Sequence, residues 1–167
     1  MNVTIDVATS QQQRSRVIAA TCAGFNLRRA SRAISHYFDR ALTPSGLRST
    51  QFTLLAALAI SGSPTIGELS DALVIDRTTL SRNLKLVRSA NLVEAIPTGD
   101  RREHRYGLTD RGRAALETAL PLWEAAQAQV VEPLGQDRWQ GMLGDLHRLL
   151  GIVRGHTGDL VAPNGTA

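Results

Sequence analysis

The sequence predicts a mainly α fold with a small β-hairpin wing, that is, a winged helix-turn-helix joined to a helical dimerisation lobe. Three observations lead to this prediction. Two short helices are expected at 66–73 and 77–90, and so brief a turn between them is typical of a helix-turn-helix. Two short strands follow these helices directly. Longer segments with apolar residues at helical spacing flank the whole unit on both sides.

The composition is that of a globular chain, because 43% of the 167 residues are hydrophobic and 20% are charged. The longest apolar run, Leu54 to Ile60, is too short to cross a membrane. The N-terminal residues lack the apolar region of a signal peptide. A single cysteine, Cys22, excludes an internal disulfide framework. We therefore expect a cytoplasmic protein with no membrane partner.

Apolar periodicity and turn-forming residues divide the chain into segments. One amphipathic helix is expected from about Val17 to Leu42, and the Thr43–Gly46 stretch breaks it. A last helix begins near Gln136 and carries a stripe of tryptophan and leucine that a lone chain would struggle to cover. The predicted organisation is a disordered segment at 1–16, a helical dimerisation lobe at 17–45 and 110–155, a winged helix-turn-helix domain at 46–109 and a flexible tail at 156–167.

Both helices of the predicted helix-turn-helix have local start signals. Thr65 and Glu68 have the spacing of a capping box, in which a hydroxyl and a carboxylate satisfy the first helical N–H groups. Asp76 is a good N-cap for the second helix. A wheel at 100° per residue places Leu80, Leu84 and Val87 on one buried stripe. Leu86 lies off this stripe, and packing against the wing or a neighbouring helix would account for it.

The opposite face of the second helix combines cations with short hydroxyl side chains. Arginine can bind guanine through two hydrogen bonds, and serine or threonine can contact bases or phosphates. A solvated surface helix is the alternative, but this face carries no acidic residue after Asp76, whereas solvated helices usually mix charges. The face consists of Thr78, Ser81, Arg82, Lys85, Arg88 and Ser89.

Basic residues are also concentrated in the predicted wing, between strands at 92–96 and 104–108. The stretch 76–113 has nine Arg or Lys residues against five acids, so it carries the entire net charge of +4. Arginine in a narrow minor groove meets an enhanced negative potential, which Arg101 and Arg102 at the hairpin tip are placed to use. Asp100 is expected to hold one of them through an ion pair. These features favour a DNA partner.

Three segments resemble the multiple-antibiotic-resistance regulator (MarR) family: residues 46–55, 65–93 and 99–113. The last is the most specific, since an acidic-basic wing tip precedes Leu108-Thr109-Asp110-Arg111-Gly112-Arg113. The resemblance implies a homodimer that binds an inverted-repeat operator in double-stranded DNA as a transcriptional regulator. It also implies a repressor that a small aromatic or phenolic ligand releases.

The resemblance also implies residue roles. Thr78, Thr79, Ser81, Arg82 and Lys85 would contact the major groove, together with Arg77 at the helix start. Arg101 and Arg102 would enter the minor groove. Thr50, Gln51 and Thr65 lie where phosphates are contacted. His36 and Trp123 would border the effector pocket. These expectations concern positions in this sequence that match the family pattern.

Two alternative functions remain open at this point. Some family members sense oxidants through a cysteine on the first helix, and Cys22 lies near the start of that helix here. A winged helix can also bind another protein, although a face rich in Arg, Ser and Thr suits phosphates and bases better. An enzyme is not expected, because the sequence lacks a Gly-rich phosphate loop, a His-x-x-x-His pair and a Cys-x-x-Cys pair. We predict no catalytic residue, metal or cofactor.

Overall fold

The structure is a computed structural model that describes residues 4–98 and 104–156. Over these residues it confirms the mainly α fold with a small β-hairpin. The chain divides into two compact units, Met1–Trp123 and Glu124–Ala167. The elements in chain order are α1 (Thr4–Thr21), α2 (Ala23–Leu42), a 3-10 turn (Thr43–Ser45), α3 (Ser49–Ser61), α4 (Ile66–Leu73), α5 (Arg77–Ser89), β1 (Val93–Ile96), β2 (Arg105–Leu108), α6 (Asp110–Leu134) and α7 (Gln136–His156).

The core of the first unit consists mainly of leucine and valine side chains from α2, α3, α4, α5 and the hairpin, together with Phe52 of α3 and Ala119 of α6. Each fully buried side chain of this size stabilises the fold by roughly 1.5–3 kcal/mol. The same burial fixes which face of each helix points outward. The largest fully buried side chains are Leu42, Leu54, Leu55, Leu58, Leu69, Leu80 and Val87.

The two strands pair antiparallel, with Val93 opposite Leu108 and Ile96 opposite Arg105. The segment before α4 joins this sheet. Thr65 forms a β-bridge with Arg105, and the Tyr106 N–H donates to the Pro64 carbonyl at 3.0 Å. The base of the wing is therefore tied by backbone hydrogen bonds to the start of the helix-turn-helix.

Thr109 connects the end of the hairpin to α6. Its hydroxyl caps the start of α6 by accepting a hydrogen bond from the Gly112 N–H at 3.0 Å, and it donates to the Asn91 carbonyl at 2.8 Å. The Thr109 N–H donates to the Leu92 carbonyl at 3.2 Å. Gly112 lies against the Leu92 backbone, and a Cβ built on Gly112 would be 2.9 Å from the Leu92 carbonyl carbon. The first turn of α6 thus packs directly on the start of β1.

The N-terminal region differs from the prediction of a disordered segment at 1–16 and one helix from Val17. Residues Thr4–Thr21 form α1, and an extended residue, Cys22, separates it from α2. Polar helix-forming residues such as Gln and Arg give this segment helical propensity without an apolar stripe, so periodicity did not reveal it. At the break, the Asn26 side-chain amide donates to the Ala19 and Cys22 carbonyls at 3.2 and 3.0 Å.

The second unit contains the end of α6 and all of α7. Gly135 links the two helices with φ of +81°, a left-handed conformation that glycine adopts readily. Apolar side chains remain outward on α7, where Met142, Ile152 and Val153 are 41%, 51% and 56% exposed. Within the part of the chain that the structure describes, no helix has the length and hydropathy to span a membrane. The tail predicted at 156–167 lies, apart from His156, outside the described residues.

Candidate nucleic-acid interface

The start of α5 is fixed by Asp76, as predicted. Its Oδ1 accepts a hydrogen bond from the Thr79 N–H at 2.9 Å. Hydrogen bonds from the Thr79 hydroxyl and N–H hold the pKa of Asp76 below its ordinary value. The carboxylate also faces the positive end of the helix dipole. The first turn of α5, which carries Thr78 and Thr79, is therefore held in one conformation.

The predicted capping box at α4 is confirmed and has an additional partner. The Thr65 N–H donates to Glu68 Oε2 at 2.7 Å, and the Glu68 N–H donates to the Thr65 hydroxyl at 3.2 Å. Hydrogen bonds that the Glu68 carboxylate accepts from the Thr65 N–H and the Thr65 hydroxyl lower the pKa of Glu68. Arg105 of β2 donates to the Ser63 carbonyl at 2.9 Å and lies 3.9 Å from Glu68 Oε2. Nothing in the local pattern indicated this second link between α4 and the wing.

A tight turn joins α4 to α5. Val74 adopts the left-handed conformation with φ of 54°. The Ser70 hydroxyl donates to the Ile75 carbonyl at 2.6 Å, while the Ile75 N–H donates to the Ser70 carbonyl at 3.1 Å. Together these bonds set the angle between the two helices of the helix-turn-helix.

The two faces of α5 are separated as the sequence predicted. Leu80, Leu84 and Val87 are buried in the core. The expected packing of Leu86 is not found, because this side chain is 58% exposed. On one flank, the Arg88 guanidinium carbon lies 5.9 Å from the centre of the Tyr106 ring of β2. The exposed face comprises Arg77, Thr78, Thr79, Ser81, Arg82, Lys85 and Ser89.

The three predicted phosphate contacts lie at helix starts. Thr50 is exposed on the first turn of α3, and Thr65 is half-buried at the cap of α4. The Gln51 side-chain oxygen accepts the Arg48 N–H at 2.9 Å, so Gln51 also caps α3. The wing residues Asp100, Arg101 and Arg102 lie outside the described residues, and their expected roles stay predictions.

Asp39 forms a link that the sequence analysis missed. Its Oδ1 accepts two hydrogen bonds of 2.7 Å, from the hydroxyl and the N–H of Ser49. These bonds lower the pKa of Asp39. Arg48 lies 3.9 Å from the other carboxylate oxygen. The last full turn of α2 is thus tied to the first residue of α3, next to Thr50 and Gln51.

Replacing Asp39 with asparagine is expected to destabilise the fold at neutral pH by about 1–3 kcal/mol, since hydrogen bonds to charged groups contribute on that order. The folded pKa of Asp39 lies below its ordinary value of 3.8. Its stabilisation is therefore fully present above that pH and is lost as pH falls through the folded pKa. Urea unfolding of the wild type and Asp39→Asn between pH 7 and pH 3 should show a difference in the free energy of unfolding that becomes smaller in acid. An equal difference at pH 7 and pH 3 would exclude this role for the Asp39 charge.

The residues predicted for ligand and redox chemistry lie apart. His36 lines an open cleft of about 820 Å³ whose lining includes Asp39, Arg40 and Arg48. Trp123 is half-buried, stacks on Phe52 at 6.0 Å and packs against the core, so it is not among the residues lining this cleft. Cys22 is half-buried at the α1–α2 break, and its redox role stays a prediction. Across the described ranges, no group of three or more metal-ligating side chains occurs.

Comparison with known proteins identifies the family. A family model described as "MarR family" matches residues 45–103, which comprise α3, α4, α5, β1 and the wing tip. MosR, a transcriptional regulator of Mycobacterium tuberculosis with a crystal structure in complex with DNA, is 39% identical. That match covers 80% of this chain and 99% of MosR, with a TM-score of 0.71. The chain belongs to the MarR family.

Two further transcriptional repressors are also similar to this chain. CouR, a transcriptional repressor bound to a 23-mer DNA duplex, is 27% identical with a TM-score of 0.73, over 80% of this chain and 95% of CouR. The repressor NicR of Pseudomonas putida is 31% identical over 99 residues, which are 59% of this chain and 63% of NicR. These relatives confirm the prediction of a MarR-family DNA-binding transcriptional regulator in place of an enzyme.

Proposed function

We propose that this MarR-family regulator binds an inverted-repeat operator in double-stranded DNA as a homodimer and represses transcription there. The observation that carries the proposal is the division of α5, with an apolar stripe in the core and an outward face of hydroxyls and cations. Its first turn is fixed by Asp76 and its flank contacts the wing through Arg88. A rigid helix with such a face fits a major groove.

Each exposed group on this surface has a contact that suits its chemistry. Arg82 presents the planar group that binds guanine through two hydrogen bonds, and Lys85 supplies a positive charge one turn ahead of Ser89. The Ser81 hydroxyl donates to the Arg77 carbonyl at 2.7 Å, which leaves its oxygen as an acceptor for a cytosine or adenine amino group. Further contacts come from Thr50, Gln51, Thr65, Arg77, Thr78, Thr79, Arg101 and Arg102.

Homodimerisation is supported by exposed apolar side chains on α2 and α7. These helices lie in the two segments, 17–45 and 110–155, that we assign to a dimerisation lobe. On α2, Phe25 and Ile34 are each 43% exposed. On α7, Leu150 and Ile152 are 42% and 51% exposed. A second copy of the chain would remove these apolar side chains from water, and each buried Å² contributes about 25 cal/mol. Two copies also account for an operator with two-fold symmetry.

Titration of duplex DNA at several salt concentrations tests the DNA-binding proposal. Each phosphate that the protein neutralises releases a counterion, so the logarithm of the binding constant should fall linearly with that of the salt concentration, by about 0.9 per contact. Lys85→Gln should reduce that slope by about one per subunit. Weak DNA binding that hardly responds to salt would contradict an interface built on phosphate contacts. It would leave the alternative of a protein partner held by an apolar interface, whose binding would be far less sensitive to salt.

Release by a small aromatic or phenolic acid is the second part of the proposal, and the cleft lined by His36 supports it. Arg40 and Arg48 supply positive charge for a carboxylate, and the same Arg48 lies beside the Asp39–Ser49 link. A carboxylate bound to Arg48 would compete with Asp39 for that cation. Binding would therefore act on the start of α3, which carries the phosphate contacts Thr50 and Gln51.

We expect Arg48→Ala to raise at least tenfold the concentration of 2-hydroxybenzoate that releases the protein from DNA, because a charge-assisted bidentate contact is lost. His36→Ala should act in the same direction. Fluorescence anisotropy of labelled operator DNA measures this release. Arg148→Ala is the matched control, since Arg148 is an exposed arginine of α7 whose side chain is 78% exposed. An unchanged response in both cleft variants would remove the cleft from the proposal.

A further inference from the structure

Leu86 is the apolar residue of α5 that the core does not account for. Leu80, Leu84 and Val87 are 0%, 2% and 0% exposed, whereas Leu86 is 58% exposed. At 100° per residue, Leu86 lies one turn after Arg82 and on the same side of the helix. The flank of α5 that faces the wing is occupied by Arg88 over the Tyr106 ring. Leu86 therefore lies at the edge of the outward face, beside the arginine proposed to bind guanine.

A leucine at this position has a specific complement in DNA. The edges of the bases in the major groove are polar, except for the C5-methyl group of thymine. Four residues of helix advance by about 6 Å, while successive base pairs are spaced by about 3.4 Å. A side chain one turn beyond Arg82 thus reaches a base pair within about two steps of the one that Arg82 contacts.

We propose that Leu86 contacts the C5-methyl group of a thymine in each half-site, which makes it a specificity-determining residue. The inference rests on the proposed function, because it requires α5 to lie in the major groove. The selectivity arises from burial of one methyl group against the leucine side chain. Cytosine at the same position lacks the methyl group and presents an amino group where thymine has its O4 carbonyl. The leucine cannot form a hydrogen bond with that amino group.

Replacement of each thymine of one half-site by uracil tests the proposal, because uracil differs from thymine only by the missing methyl group. At one position, within about two base pairs of the guanine that Arg82 contacts, wild-type affinity should fall about fourfold. Leu86→Ala should bind the thymine operator more weakly and should bind the uracil and thymine operators equally at that position. Fluorescence anisotropy with full-length protein measures both affinities.

Ile60→Ala is the matched control, since Ile60 is an 87% exposed apolar residue at the end of α3. This variant should lose the same affinity as the wild type when each thymine is replaced by uracil. The inference is overturned if no uracil weakens wild-type binding, if the half-site has no thymine near that guanine, or if Leu86→Ala keeps the methyl dependence. Each of these results leaves sequence-specific DNA binding intact. Failure to prefer any duplex sequence would overturn the proposed function as well.

Discussion

Arg82→Ala is expected to weaken operator binding by roughly fivefold to 150-fold in each half-site, which corresponds to the loss of about 1–3 kcal/mol. Arg82 is exposed on the second turn of α5, while Leu80 and Leu84 on the opposite side are buried. Removal of its side chain therefore leaves the core intact. The loss should be confined to DNA binding, and the preference for guanine at one base position should relax.

Affinities for an operator series with each base changed in turn measure this effect. Arg82→Lys keeps the charge but loses the planar guanidinium group. This variant should therefore retain the salt dependence of DNA binding and lose the preference for guanine at that position. Arg102→Ala in the wing should weaken binding more evenly across sequences. If Arg82→Ala binds the operator series as the wild type does, the assignment of α5 as the recognition helix is wrong.

Gly112→Ala should have the largest effect on stability. A Cβ at Gly112 would be 2.9 Å from the Leu92 carbonyl carbon and 3.3 Å from the Leu92 Cα. Both are backbone atoms, and the Leu92 carbonyl also accepts a hydrogen bond from the Thr109 N–H. The Leu92 backbone therefore cannot move away from the new Cβ without loss of that hydrogen bond. Overpacking of this kind costs about 1–3 kcal/mol, and the disrupted Thr109 cap adds about 1 kcal/mol.

Thermal unfolding at fixed protein concentration measures this loss, and we expect a decrease in Tm of roughly 5–15 °C. Gly141→Ala in α7 is the matched control. A Cβ at Gly141 meets nothing within 4 Å, so alanine there should leave stability unchanged or raise it by up to about 1 kcal/mol. Equal effects of the two substitutions would contradict the close contact between α6 and β1.

The helix-turn-helix could be predicted from the sequence because its signals are local. Thr65 and Glu68 are three residues apart and cap α4, while Asp76 caps α5 through a residue three positions on. The apolar spacing of Leu80, Leu84 and Val87 likewise depends only on helical geometry. The separation of the faces of α5 followed from these few residues.

The remaining features depend on contacts between distant residues. Asp39 binds Ser49 ten positions later, and Arg105 binds the Ser63 carbonyl 42 positions earlier. No pattern in either segment indicates its partner. The break at Cys22 was missed because the segment before it has no apolar stripe whose interruption could mark the break, and the Asn26 amide that stabilises it resembles any polar surface residue. His36 and Trp123 were paired by resemblance, and the structure places Trp123 against Phe52.

Selection of bound sites from random duplex DNA by the full-length protein would show whether a symmetric dimer reads DNA through α5. We expect enrichment of an inverted repeat whose half-site centres are about one helical turn apart, roughly 10 base pairs. Each half-site should contain a guanine, and its recovery should be lost when the selection is repeated with Arg82→Ala. Recovery of no enriched sequence, or of an asymmetric site that Arg82→Ala also selects, would contradict a symmetric dimer that reads DNA through α5.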